Sequence, residues 1–320
     1  MLTKGNTKMP PSLPESYAAL PTEHIKLSHV PPSSSTPTPV LLLTLNRPEK
    51  LNAYTEQMSK EIASVLGMVD IDDRVKVIVL TGSGKKAFCA GADLDIGFGG
   101  MGKGGAAARE KDHRDGGGRI SLAIHNCRKP TIVAINGSAV GVGITMTLPA
   151  TIRLVTAGAK IGFVFSRRGL IMEAVSSFFL PRLIGYSRAL HITTTGSTYP
   201  ADHPLLKDLF SEILSTPEAT VARALELADD IALNTSTIST SLMRDLMYRG
   251  PDSAEATHLL DSSLIYPLFG NKDNEEGVKS FFEKRSPQFK GSFNNPNDVP
   301  AAYPWWKQVD VSPPKLNSKL

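Results

Sequence analysis

Three short segments hold residue types whose spacing can do chemistry. Ala87-Phe88-Cys89-Ala90-Gly91-Ala92-Asp93-Leu94 and Asn136-Gly137-Ser138-Ala139-Val140-Gly141-Val142-Gly143 each follow an apolar stretch that reads as a short buried strand. Small residues where a strand ends let a ligand approach the main chain closely. The second segment opens a helix, whose first N–H groups lack an intrahelical acceptor and whose dipole favours an anion. Two such amides aimed at one point would make an oxyanion hole. The same pattern also suits two plain tight turns. In the third segment, Arg167-Arg168-Gly169-Leu170-Ile171-Met172-Glu173-Ala174-Val175-Ser176-Ser177-Phe178-Phe179-Leu180-Pro181, one acid stands among small and apolar residues. An isolated carboxyl in such surroundings holds its proton more tightly, which suits proton transfer. The competing reading of Glu173 is a first-turn glutamate that complements a helix dipole.

Other patterns fail on context. Gly97-Phe98-Gly99-Gly100-Met101-Gly102 matches a dinucleotide loop by letters, but no strand immediately precedes it. Gly97 to Lys103 resembles a phosphate loop, yet Gly104 stands where magnesium needs a hydroxyl. There is no His-Glu-x-x-His zinc helix and no Gly-x-Ser-x-Gly elbow, so no metal site is expected. Asn136-Gly137-Ser138 has the letters of a glycosylation acceptor but reads better as a turn ending an apolar strand.

The chain has 320 residues, 41% hydrophobic and 21% charged, enough for one large core with an appendage. A formal charge of +4 gives no nucleic-acid footprint. Two cysteines, Cys89 and Cys127, cannot form a disulfide framework, and a reducing compartment is expected. Residues 130–152 carry no charge, but Asn136, three glycines and Pro149 make them a strand, a turn and a helix rather than a membrane span. No basic-then-apolar leader is visible. Ser318-Lys319-Leu320 matches a peroxisomal address, which implies a peroxisomal import receptor as a partner.

Elements must position these groups. Residues 1–22 are proline-rich and read as a loose arm. His24 to Val30 and Val40 to Leu45 form a hairpin around a Pro/Ser/Thr loop. Asn52 to Asp70 is a helix by its three- and four-residue apolar steps, and Val75 to Leu80 is a buried strand. Residues 97–118 read as a glycine-rich surface loop. Then follow a helix Arg119 to Arg128, a strand Thr131 to Ile135, a helix Gly141 to Leu148, and strands Thr151 to Val155 and Lys160 to Phe165. Beyond Glu173 the chain reads as mostly helical, with a last strand over Phe210 to Leu214. Strands alternating with helices, then a helical tail, predict an α/β core with an appended helical module.

The three segments together resemble the crotonase superfamily, the enoyl-CoA hydratase/isomerase family. Leu45-Asn46-Arg47-Pro48-Glu49-Lys50-Leu51-Asn52-Ala53, Val77-Ile78-Val79-Leu80-Thr81-Gly82 and Glu276-Gly277-Val278-Lys279-Ser280-Phe281-Phe282-Glu283-Lys284-Arg285 extend the likeness over about residues 24 to 290. The resemblance implies a crotonase-like spiral of ββα units over 23–215 and a helical trimerisation region over 216–290. A tail over 291–320 would carry the targeting tripeptide. It implies a homotrimer or hexamer acting on an acyl-CoA thioester, with no separate cofactor because CoA belongs to the substrate. By the family's pattern the oxyanion donors are the amides of Ala92 and Val142. Lys50, Ala90, Gly91, Ala92, Asp93, Leu94 and Gly141 would border the thioester or the CoA. Lys284 would reach a CoA phosphate across a subunit boundary.

The departures set the expected chemistry. Typical hydratases of the family use two glutamates, and the matching positions here are Thr145 and Phe165. Glu173 instead occupies the place of the single glutamate in the peroxisomal Δ3,Δ2-enoyl-CoA isomerase branch. One carboxylate facing a dienolate can take a proton from C2 and return one to C4. The leading expectation is therefore such an isomerase in fatty-acid metabolism. The alternatives are a hydratase or other CoA-ester lyase, with secondary metabolism as its setting, and a non-catalytic CoA-ester or RNA binder.

Overall fold

The computed structural model describes residues 13–96 and 112–312, so Ser318-Lys319-Leu320 and most of the 97–118 loop lie outside the described residues. Among the described residues the strands are β1 (Ile25–His29), β2 (Val40–Leu45), β3 (Val77–Gly82), β4 (Ala87–Cys89), β5 (Thr131–Ile135), β6 (Ser138–Val140), β7 (Ile152–Thr156), β8 (Lys160–Gly162), β9 (Thr198–Pro200) and β10 (Glu212–Leu214). The α-helices are α1 (Glu56–Ile71), α2 (Gly116–Asn126), α3 (Val142–Thr145), α4 (Ser176–Ile184), α5 (Tyr186–Thr195), α6 (Pro217–Asn234), α7 (Thr237–Arg249), α8 (Ala254–Ile265) and α9 (Lys272–Glu283).

Two sheets result. The larger runs β1-β2-β3-β5-β7-β10, parallel except for β1 at its edge. The smaller runs β4-β6-β8-β9, with β9 antiparallel. Along the chain a strand of the large sheet is followed by one of the small sheet and then a helix: β3-β4-α2, then β5-β6-α3, then β7-β8-α4. The expected α/β spiral of ββα units is present.

Alternation along β3 explains the layering. Ile78 and Leu80 join a core that includes Met58, Ile62 and Val65 of α1. Val77 and Val79 face the other way and pack with Ala224, Ala228 and Ala232 of α6. Alanines at four-residue steps let α6 lie close on the sheet. This helix, predicted as part of the 216–290 appendage, is thus one face of the core.

Several boundaries move for physical reasons. α1 begins at Glu56, because Leu51 and Asn52 adopt left-handed backbone and Thr55 caps the helix by accepting from the Met58 amide at 3.1 Å. α3 is four residues long rather than the predicted run to Leu148. β8 ends at Gly162 rather than Phe165. β4, β6 and β9 are additions to the predicted strands; each is three residues long, and β9 ends on Pro200. The 97–118 loop ends early, since α2 already starts at Gly116.

The expected loose arm is anchored over its described part. Tyr17 is buried, its hydroxyl donates to Asp72 at 3.0 Å and its amide to the His29 ring at 3.2 Å. The tail is docked as well. Trp305 donates its indole N–H to the Arg249 carbonyl at 2.9 Å, and the Arg249 guanidinium lies 4.3 Å from the Trp306 ring centre. At its far end the tail reaches Arg114, which donates to the carbonyls of Val311 at 2.9 Å and Ser312 at 3.4 Å.

Candidate active site

The two small-residue segments meet. Gly91 and Gly141 both have positive φ, 99° and 56°, and a Cβ on Gly141 would lie 3.9 Å from the Gly91 Cα. Tyr54 pairs with Ala92 in a parallel bridge, donating to the Gly91 carbonyl at 2.8 Å and accepting from the Asp93 amide at 3.0 Å. In that pattern the bonds come from the neighbours of Ala92, so its own N–H is turned away from Tyr54. Val142 is the first residue of α3, where an N–H has no intrahelical acceptor. Among the described residues neither amide donates to another group of the chain. Gly143 is required for this approach: a Cβ there would collide with the Cys89 carbonyl. The arrangement offers two free amides at adjoining backbone segments, which is what binding a developing oxyanion needs.

Glu173 comes to the same place by a different route. It precedes α4, which starts at Ser176, so it is not a first-turn residue and the dipole reading fails. Ala174 and Val175 follow it with φ of 58° and 57°, a left-handed pair that side chains with a Cβ rarely adopt. This turn directs Glu173 toward α3, where the Thr145 hydroxyl donates to its Oε1 at 2.6 Å. Thr145 lies one turn of α3 beyond Val142, so the carboxyl sits one helical turn from that amide. Burial pushes the Glu173 carboxyl up to about 7; the Thr145 hydrogen bond opposes this, and the charge and hydrogen bonding of Asp115 add to it. Such a group is present in both protonation states near neutrality.

The remaining candidates divide. Asp93 is buried, and its carboxylate is held by Arg47 at 2.9 Å. Lys50 pairs with Asp95 at 2.7 Å on the surface beside the 87–94 segment, and Leu94 is exposed. Phe165 lends its carbonyl to the Arg168 and Leu170 amides. Lys284 is not brought to the Glu173 cluster; it caps α9 in left-handed conformation, its amide bonded to the Phe281 carbonyl.

Two residues of the site escape the sequence reading. Asp115 caps α2, accepting from Gly118 at 2.5 Å, and also accepts from the Ala174 amide at 3.0 Å. Gly117 leaves room that a Cβ would fill: the added atom would collide with Glu173 Oε2 and crowd Val142 Cγ2 at 3.0 Å. The available signal is an Asp three residues before the last of three glycines and an amphipathic run, a helix-start pattern hidden in a glycine-rich stretch. Among the described residues no three His, Cys, Asp or Glu side chains converge to hold a metal ion, and no helix is long and apolar enough to cross a membrane.

Comparison with known proteins agrees with this geometry. Residues 35–292 match the family model described as enoyl-CoA hydratase/isomerase. The chain is 53% identical over 251 residues to enoyl-CoA hydratase AFT3-1 of Alternaria alternata, covering 78% of this chain and 83% of that protein. It is 32% identical over 269 residues to 1,2-epoxyphenylacetyl-CoA isomerase of Escherichia coli, covering 79% and 95%. Among solved structures, an enoyl-CoA hydratase from Bacillus anthracis superposes with a TM-score of 0.72 at 28% identity, over 84% of this chain and 100% of that one.

Proposed function

Since the chain belongs to the enoyl-CoA hydratase/isomerase family, we propose that it is an enoyl-CoA hydratase in which Glu173 moves the protons. This revises the isomerase expectation. The relatives that are about half identical to it carry the hydratase name. The observation that carries the reading is the placement of one carboxyl of raised proton affinity a helical turn from the Val142 amide.

In this mechanism a 2-enoyl thioester lies with its carbonyl oxygen between the amides of Ala92 and Val142. Water adds through its oxygen to C3, and negative charge moves onto the thioester oxygen. The two amides stabilise that enolate, and one such donor is typically worth about 3 kcal/mol. Glu173 takes the proton from water and returns a proton to C2. A group present in both protonation states near neutrality can do both steps, accepting from water as the carboxylate and donating to C2 as the acid. Thr145 keeps the carboxyl oriented.

The isomerase reading retains one supporting observation: the two positions where typical hydratases carry glutamate hold Thr145 and Phe165. The test incubates the purified protein with 2-hexenoyl-CoA and with 3-hexenoyl-CoA separately. Hydration of the first without conjugation of the second is expected; the reverse result assigns an isomerase. The exposed Met247, Leu259, Tyr266, Phe269, Phe281 and Phe282 of the α7–α9 region support assembly with further copies. Light scattering is expected to give a trimer or a hexamer.

A further inference from the structure

The chemistry assigned to Glu173 depends on a backbone turn that does not hold itself. Ala174 and Val175 have φ of 58° and 57°, and a left-handed pair with Cβ atoms persists only where the surroundings impose it. Val175 is also the cap residue of α4, and its side chain gives that helix no capping bond. Within the turn, the Ser176 amide and hydroxyl donate to the Glu173 carbonyl at 3.0 and 2.5 Å. The tie to another element is made by the Ala174 amide, which donates to Asp115 Oδ2 at 3.0 Å across 59 positions of sequence. Ala174 is fully buried, so without Asp115 this amide would have no water to turn to.

Asp115 is itself a fixed post. The same Oδ2 accepts from the Gly118 amide at 2.5 Å, which caps α2. A Cβ on Gly118 would lie 2.6 Å from Asp115 Oδ1, so glycine leaves the carboxylate its place. The first turn of α2 is bolted to α1: the Ser59 hydroxyl donates to the Gly116 carbonyl at 2.7 Å, and Arg119 donates to Ser59 Oγ at 3.1 Å and to Glu56 at 2.8 Å. Glu173 is thus gripped at two points, its carboxyl by Thr145 at 2.6 Å and the peptide after it by Asp115.

We propose that Asp115 is a positioning residue for proton transfer: by holding the Ala174 amide, it locks the left-handed turn that aims the Glu173 carboxyl at α3. Capping α2 needs one bond to Gly118, which serine or threonine supplies as well. Holding the turn needs an oxygen that reaches a second amide on another element, and the carboxylate, one bond longer than a hydroxyl, has that reach. The inference rests on Glu173 carrying the proton and is the same whether the reaction is hydration or double-bond migration.

The test separates the two bonds. Asp115→Ser and Asp115→Thr keep the cap and lose the reach, whereas Asp115→Asn keeps both acceptor positions. None of the three side chains is charged, so differences among them are geometric. Turnover is measured with 2-hexenoyl-CoA and with 3-hexenoyl-CoA, beside melting temperature and exchange of the Ala174 amide in ¹⁵N-alanine-labelled full-length protein. The Ser and Thr variants are expected to melt close to the Asn variant yet lose about a hundredfold in kcat with little change in KM, the mark of a misplaced reacting group. Their Ala174 amide exchanges faster than in wild type, and Asp115→Asn recovers most of both losses. Equal kcat across the three variants, or equal exchange, overturns the proposal and leaves Asp115 a helix cap. If wild type hydrates 2-hexenoyl-CoA and the variants match one another, the hydratase reading stands and the positioning role falls. If wild type turns over only 3-hexenoyl-CoA, the hydratase reading falls and the same comparison with that substrate decides the positioning role. If it turns over neither, exchange of the Ala174 amide decides it.

Discussion

Asp93 and Glu173 flank the same pair of amides, and both are largely withdrawn from water, but their surroundings push them in opposite directions. Burial works against the Asp93 charge, yet the Arg47 hydrogen bond overcomes it and holds the carboxyl below the usual carboxylate range. Around Glu173 the burial is met by a hydroxyl and a second carboxyl, and its proton is retained up to about 7. A carboxylate locked to a guanidinium fixes the 87–94 segment in place and has little proton to exchange. One left beside another acid is poised to trade protons. The contrast separates structure from chemistry where residue type alone cannot.

The comparison can be broken most directly at Glu173. Glu173→Gln is expected to lower turnover by about a thousandfold, within the usual range for a positioned acid–base group, while CoA-ester binding persists; steady-state rates and calorimetric binding check it. Wild-type turnover would remove Glu173 from the chemistry. Arg47→Met tests the other side. It leaves Asp93 buried without its partner, and stability is expected to drop by about 3 kcal/mol in denaturant unfolding. The pH profile of any remaining activity should stay where it was.

A smaller change sharpens the geometry. Gly117→Ala adds a methyl against Glu173 Oε2 and Val142 Cγ2. The expected cost is about a hundredfold in kcat, typical of a misplaced catalytic group, with little change in melting temperature. The smallest effect concerns stability. Glu173 binds its proton more tightly folded than unfolded, so its contribution to stability falls as pH rises from the ordinary carboxylate range to about 7. Glu173→Gln removes that loss. The variant should melt about 3 °C above wild type at pH 8 and close to it at pH 4.

The sequence made the amide pair and Glu173 legible because each lies in a short contiguous motif: small residues closing a strand, or one acid in an apolar run. The alternation of strands and helices followed from the same local patterns. Asp115 was not legible, since its role depends on a contact with a turn 59 positions away and it opens a helix inside a glycine-rich stretch without period. Gly117 looks like filler until the atoms around its missing Cβ are known. β4, β6 and β9 escape because strands of three residues carry too little alternation to read. The docking of Trp305 and Trp306 is likewise undecided by sequence, because an aromatic pair states an appetite for burial and not an address.

That docked end has a practical bearing. Residues 311 and 312 hold the guanidinium of Arg114, which directly precedes the cap of α2. Trimming the chain after residue 290, or attaching a purification handle behind it, would loosen a clasp adjoining Asp115, which holds the Ala174 amide beside Glu173. Weak activity from such a preparation would then reflect how it was cloned rather than what the enzyme can do.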